Sequence, residues 1–500
     1  MLNLSKSKII SFLQCPKRMW LEIHRPELKE DSASAQARFK VGHQVGEIAR
    51  KLYDPAGDGV LIDIKSEGFG NALKRSAALL KNPDQPIFEA GFESENTVAL
   101  ADVMVPVSDN GQFFWKMVEV KSSASVKDYH RDDVSIQSFL ARSMGVPISF
   151  VAVAHVDTSW VYPGGNDYNG LLLENDLTEE TLERSGEVEG WIRDAHRVAK
   201  QKSEPERETG DHCYDPFECG FCQYCNRDKI APEYPIDWLP RLSPRQRSRL
   251  EELNVEDLRH VPENLLNPTQ KLVRDHTLNS TTFFDRRQAK ASLKGTGLPA
   301  CFLDFETINL TVPVWAGTRP YQQIPFQFSL HKVKKDLTLE HREFLDLSGE
   351  DPSRQFAEAV IAACEKRGPV FVYNAGFESG VLNSLAKRFP DIAPALEKVI
   401  DRIVDLLPIA RECFYHPSQQ GSWSIKSVLP AAVPELSYEL LDGVKDGTMA
   451  MEAFAEAIHP DTETARKEKI RSELRAYCRL DTLAMVGLWK YFLGLIDPKI

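Results

Sequence analysis

The spacing of apolar residues changes several times along the chain, and the changes divide it. In residues 5–28, Ile9, Phe12 and Leu13 have helical spacing, and Pro16 suits a new helix starting after Cys15. Residues 36–52 read as an amphipathic helix. Over 87–121 the period falls to two, and segments 87–92, 97–107 and 113–120 predict a β-meander. A helix containing Gln137 follows, then an apolar strand at 146–155. Residues 177–204 predict a charged, solvated helical stretch. Prolines 232, 235 and 240 open a segment of short helices, with one helix starting at Ser243-Pro244. From residue 298 strands alternate with helices: strands at 300–305, 326–331, 340–344 and 370–373, and a helix at 353–364. Helical spacing returns at 474–482.

This pattern predicts a multidomain α/β protein. Its parts are a domain over 1–228, a helical connector over 229–290 and a second α/β domain over 291–500. A hydrophobic content of 42% and a charged content of 27% fit a globular chain. The net charge of −12 excludes a generally basic nucleic-acid coat, but not an acidic centre that works on nucleic acid. Met1 to Gln14 carries lysines inside its apolar pattern and no small-residue cleavage site, so a cytoplasmic protein is expected. No apolar run approaches the ~18 residues of a membrane span.

Three groups of residues point to chemistry. Asp304 and Glu306 end an apolar strand two residues apart, so their side chains share a face. Carboxylates that close repel each other unless a cation lies between them, which suggests a divalent-metal site. Asp102 follows one strand of the meander, and Glu119 and Lys121 share a face at the end of the next. Cys213, Cys219, Cys222 and Cys225 are crowded together, and Cys15 stands alone far upstream. Crowded thiolates favour a metal or a cluster, with structural zinc as the plain alternative.

Several motifs carry a family resemblance. Leu-x-Cys15-Pro-x-Arg-x-Trp, Asp102, Glu119-Val-Lys121 and the helix with Gln137 resemble RecB-like PD-(D/E)xK nucleases of restriction-endonuclease-like fold that hold an iron–sulfur cluster. The resemblance implies Mg²⁺ or Mn²⁺ on Asp102 and Glu119, assistance from Lys121 and Gln137, and a 4Fe-4S cluster on Cys15, Cys213, Cys219 and Cys225 with Cys222 in reserve. Where that family has Gly-x-x-x-His-Glu on a helix, this chain has Gly46 for the histidine and keeps Glu47 as a supporting candidate. The remainder resembles an RNase H-like exonuclease of the tyrosine-type DEDD class. Asp304-x-Glu306 matches the first motif, Asn374-x-x-Phe377-Glu378 the second, with glutamate for aspartate, and Tyr477-x-x-x-Asp481 the third. That implies two metal ions on Asp304, Glu306, Glu378 and Asp481, with Tyr477 positioning water. Asp405 and Lys426, the latter in Ser-Ile-Lys, are supporting candidates. The 229–290 segment is similar to a helix-hairpin-helix.

The whole resembles prokaryotic proteins that fuse the two nuclease types. The expected function is hydrolysis of phosphodiester bonds in nucleic acid, DNA ahead of RNA, with 3′→5′ polarity at the C-terminal centre. A helicase or another repair or defence protein is a candidate partner, because no Walker A motif is present. The alternative is a nucleic-acid-binding or assembly protein with one or both centres inactive.

Overall fold

The computed structural model describes residues 3–30, 33–82, 84–109 and 111–496. It is a mixed α/β protein in two compact units. Unit 1 comprises Met1–Lys229 with Leu310–Tyr321, and unit 2 comprises Ile230–Asn309 with Gln322–Ile500.

Unit 1 is built on a seven-stranded mixed sheet: β1 (Leu4–Ser5), β2 (Val60–Leu61), β3 (Ile87–Ser94), β4 (Thr97–Asp109), β5 (Gln112–Lys121), β6 (Ile148–Val156) and β7 (Leu172–Asp176). The order runs β2-β3-β4-β5-β6-β7, and β1 pairs with β4. The meander β3-β4-β5 is antiparallel, as the two-residue period requires. β6 is parallel to β5, and the helix Asp128–Ser143 makes the crossover. Helices Lys6–Gln14 and Pro16–His24 meet at Cys15, with Pro16 in the first turn of the second. The charged stretch after 177 forms two helices, Thr178–Glu183 and Ser185–Ala199, and leaves helical structure after Ala199. Val188, Ile192, Ala195 and Val198 bury one face of the second.

The segment Leu310–Tyr321 departs from the expected division, which placed it in the C-terminal domain. Val312 packs with Val45, Ile48, Val156 and Leu171, Thr318 accepts the Tyr162 N–H, and the Tyr321 hydroxyl donates to the Ser122 carbonyl. These contacts lie far off in sequence, so local pattern carries no trace of them.

Unit 2 carries a five-stranded sheet of order β11-β10-β9-β12-β13: β9 (Ala300–Ile308), β10 (Ile324–Val333), β11 (Leu339–Leu345), β12 (Val370–Val372) and β13 (Ile403–Asp405). Only β10 runs antiparallel to the rest. A short ribbon pairs β8 (Phe283–Phe284) with β14 (Phe414–Tyr415). The central strands β9 and β10 are almost wholly buried, so they read as apolar runs rather than as alternation. The helix Thr464–Leu493 packs against both. In the 230–290 segment, helix Pro244–Glu252 starts where Ser243-Pro244 predicts, closed by a capping box with Gln246. Ile236, Leu239, Leu250 and Leu258 give this segment a small core of its own.

Candidate metal centres

In unit 2, β9 delivers Asp304 and Glu306 to one face, and the helix Thr464–Leu493 delivers Tyr477, Cys478 and Asp481. Donor atoms of Asp304, Glu306 and Cys478 all lie within 4.8 Å of one another. Glu306, Glu378 and Asp481 are buried, and among the described residues none of these four acids makes an ion pair. Their protons are held accordingly. Burial, then Asp481, Glu306 and Glu378, push Asp304 well above the ordinary carboxylate range. Burial and Asp481 push Glu306 to about 8. Burial raises Glu378 to about 8 and Asp481 to about 6.

Glu378 sits in the first turn of the helix Ala375–Arg388, and its Oε2 is buried without a hydrogen-bond partner. An orphaned carboxylate oxygen beside three unneutralised acids is the donor set that a hard divalent cation satisfies. These residues therefore fit Mg²⁺ or Mn²⁺.

The neighbours of this group have distinct tasks. Asp405 accepts N–H bonds from Asn374 (3.0 Å), Ala375 (2.9 Å) and Leu407 (2.9 Å). It fixes the start of the helix that carries Glu378 and has little capacity left for a metal. Asn374 is the left-handed residue (φ 88°) at that start. Lys426 donates to the Lys445 carbonyl at 2.7 Å and lies over the rings of Tyr477 (5.0 Å) and Tyr438 (5.4 Å). It is the cation that lowers Asp304, Glu306 and Asp481.

Sequence reasoning missed Tyr438, whose hydroxyl donates to Asp481 Oδ1 at 2.5 Å. No motif surrounds it; the contact spans 43 positions. Cys478, expected in the core, is buried but sits against Asp304, with Sγ 3.9 Å from Oδ2.

Unit 1 gathers a second centre at the ends of β4 and β5. Lys121 Nζ reaches Glu119 Oε1 (2.7 Å) and Asp133 Oδ2 (2.5 Å). Lys6 Nζ bridges the same two acids at 3.1 and 2.9 Å. Gln137 donates to Glu119 Oε2 at 2.6 Å, and Asp102 Oδ2 accepts the Val120 N–H at 2.7 Å. Burial opposes the charge on Glu119, but Lys121 and then Lys6 hold its carboxyl well below the usual range. Asp102 goes the other way: burial, then Glu119, raise it well above. Lys6 and Asp133 were not foreseen, since helix and strand periodicity say nothing of a contact across 113 positions.

A cavity of about 850 Å³ opens over this centre, lined by Asp102, Glu119, Lys121, Glu89 and His43 among others. The helix Ala33–Tyr53 turns Gly42, His43, Gly46 and Arg50 toward the cavity. Glu47, proposed as support, does not join: it is one step round the helix, with its side chain 68% exposed and 4.0 Å from Arg50.

Cys15, Cys213, Cys219, Cys222 and Cys225, all free thiols, surround one recess together with Lys17 and Arg18. Burial first, then the neighbouring sulfurs, raise Cys222 to about 12 and lift Cys219. Burial and the neighbouring sulfurs also lift Cys225, against the pull of Lys17. Among the described residues no three of these sulfurs lie within 4.8 Å of one another. Tetrahedral zinc, with Zn–S bonds of ~2.3 Å, needs sulfurs ~4 Å apart.

A family model described as "Domain of unknown function (DUF2779)" matches residues 301–424. The chain is similar to that family over a stretch that includes Asp304, Glu306 and Glu378 and stops short of Tyr477 and Asp481. No curated protein matches the chain.

Proposed function

We propose that unit 2 is an RNase H-like, DEDD-type nuclease that removes nucleotides from a 3′ end using divalent metal. The observation that carries this reading is the set of buried, cation-free carboxylates from three separate elements, Asp304 and Glu306 on β9, Glu378 and Asp481 on two helices. The mixed sheet with only β10 antiparallel supports the fold assignment. Asp304, Glu306, Glu378 and Asp481 would hold Mg²⁺ or Mn²⁺, which when bound polarises the phosphate and acidifies a water. Tyr438 fixes the rotamer of Asp481, leaving Oδ2 for the centre. Tyr477, one helical turn before Asp481, presents a hydroxyl that burial and nearby acids keep protonated, able to orient a water by donating to it or accepting from it. Lys426 offsets part of the acid charge and is placed to meet a phosphate.

For unit 1 the RecB-like reading makes Asp102, Glu119 and Lys121 a second nuclease centre, and the spread of the five cysteines favours 4Fe-4S over zinc. One observation favours a binding module there instead: Lys6 and Lys121 together neutralise Glu119 and Asp133, so that Glu119 has no free charge to offer a cation. A panel of labelled DNA and RNA, single- and double-stranded, assayed with Mn²⁺ for wild type, Lys121→Ala and Asp304→Ala, separates the readings. Loss of cutting in Asp304→Ala alone leaves unit 1 as a binding module. Loss of a distinct activity in Lys121→Ala makes it a second nuclease. No cutting by wild type on any substrate removes the nuclease proposal. Nucleic acid, DNA ahead of RNA, is the proposed partner, with unwinding left to a separate helicase. No described helix is long and apolar enough to cross a membrane.

A further inference from the structure

Within unit 2 a cavity of about 660 Å³ is lined by two arginines and no carboxylate. Arg241 comes from the helical segment ahead of β8, and Arg411 from the helix Leu406–Cys413. Among the described residues neither arginine makes an ion pair. The acid between Asn374 and Leu407 in space, Asp405, is spent on the N–H groups of Asn374, Ala375 and Leu407. Thr269 and Ser424 add hydroxyls to the wall. Two free guanidinium forks facing one space with no counter-charge match phosphate, whose oxygens they bind in pairs.

The two arginines come from distant segments held in a fixed relation. Gly421, at φ +76°, approaches so closely that a Cβ there would lie 1.8 Å from the Trp238 carbonyl. Thr277 and Tyr415 share a hydroxyl hydrogen bond of 2.7 Å, and β8 pairs with β14 beside them. The cavity also adjoins the metal centre through two stretches of chain. Asn374 in its wall precedes Glu378 by one helical turn, ~6 Å along the axis. Ser424 in its wall is two residues from Lys426, whose ammonium covers Tyr477 at 5.0 Å.

We infer that this cavity grips a backbone phosphate of a single-stranded nucleic acid whose end lies at the Asp304–Asp481 centre, which makes the helical segment 230–290 part of the substrate site. The inference rests on the nuclease reading of that centre. The test is fluorescence anisotropy of fluorescein-labelled oligothymidylate and oligouridylate on the full chain in EDTA, across a salt series. Arg241→Gln/Arg411→Gln is expected to bind at least about tenfold more weakly, with the slope of log K against log salt reduced by ~1.4, ~0.7 for each lost phosphate contact. Each single variant should lose about half the slope change, which keeps the test open if the double variant misfolds. Arg367→Gln, an exposed arginine elsewhere in unit 2, should bind as wild type. The oligothymidylate and oligouridylate arms report whether DNA or RNA supplies the phosphate. Binding by the double variant with wild-type affinity and slope overturns the inference while leaving the nuclease reading intact. If wild type binds the strands, the arginine variants weaken that binding, and Mn²⁺ produces no cutting, the cavity stands and the nuclease reading falls.

Discussion

Glu306→Gln is expected to stabilise the metal-free protein while removing its response to a divalent ion. Burial and the Asp481 carboxylate push Glu306 from an ordinary 4.5 to about 8. Between those values the native protein keeps a proton that the unfolded chain has released, so stability falls as pH rises. The penalty is absent below 4.5 and complete above about 8. At ~1.4 kcal/mol per pH unit it amounts to roughly 5 kcal/mol. Asp304 and Asp481 share the repulsion, so neutralising one member recovers about half, ~2–3 kcal/mol. For a unit of this size that raises the transition by about 5–10 °C. Differential scanning calorimetry in EDTA should show the rise at the top of the pH window and none at its foot, where glutamine replaces an already neutral carboxyl. Added Mn²⁺ should raise the wild-type transition, most at high pH, and leave the variant unmoved. A lower transition for Glu306→Gln at high pH in EDTA would mean that the carboxylate is already balanced within the protein, and the argument from unneutralised charge would fail.

Three further outcomes are expected. Tyr438→Phe removes the 2.5 Å bond to Asp481 at constant shape, and calorimetric Mn²⁺ affinity should drop about 10-fold or more without a change in melting. Lys6→Met leaves one ammonium between Glu119 and Asp133; urea unfolding of unit 1 should lose ~2–4 kcal/mol, part of it restored by adding Asp133→Asn. Cys15→Ser should abolish the visible iron–sulfur absorption and iron content after anaerobic purification, whereas stoichiometric zinc in wild type would refute the cluster.

What could be read from the chain follows the range of the forces involved. Asp304 with Glu306, and Tyr477 with Asp481, lie two and four residues apart, and strand and helix periods fix their shared faces without any tertiary knowledge. The meander and its Glu119–Lys121 pair were legible for the same reason. Helical phase alone misplaced Glu47, because an amphipathic helix shows a polar face without saying which part of that face meets a cavity. Lys6, Asp133, Tyr438 and the Arg241–Arg411 pair depend on contacts between distant segments, and each looks like an ordinary surface residue in sequence. The docking of Leu310–Tyr321 into unit 1 is the same case at the scale of a segment.

The most direct measurement is release of the 3′-terminal nucleotide from a 5′-labelled single strand in Mn²⁺ by wild type and by Asp304→Ala. The nuclease account predicts stepwise shortening from the 3′ end by wild type and an intact strand with the variant, whose fold and cysteine chromophore are unchanged. Equal shortening by both proteins would contradict it.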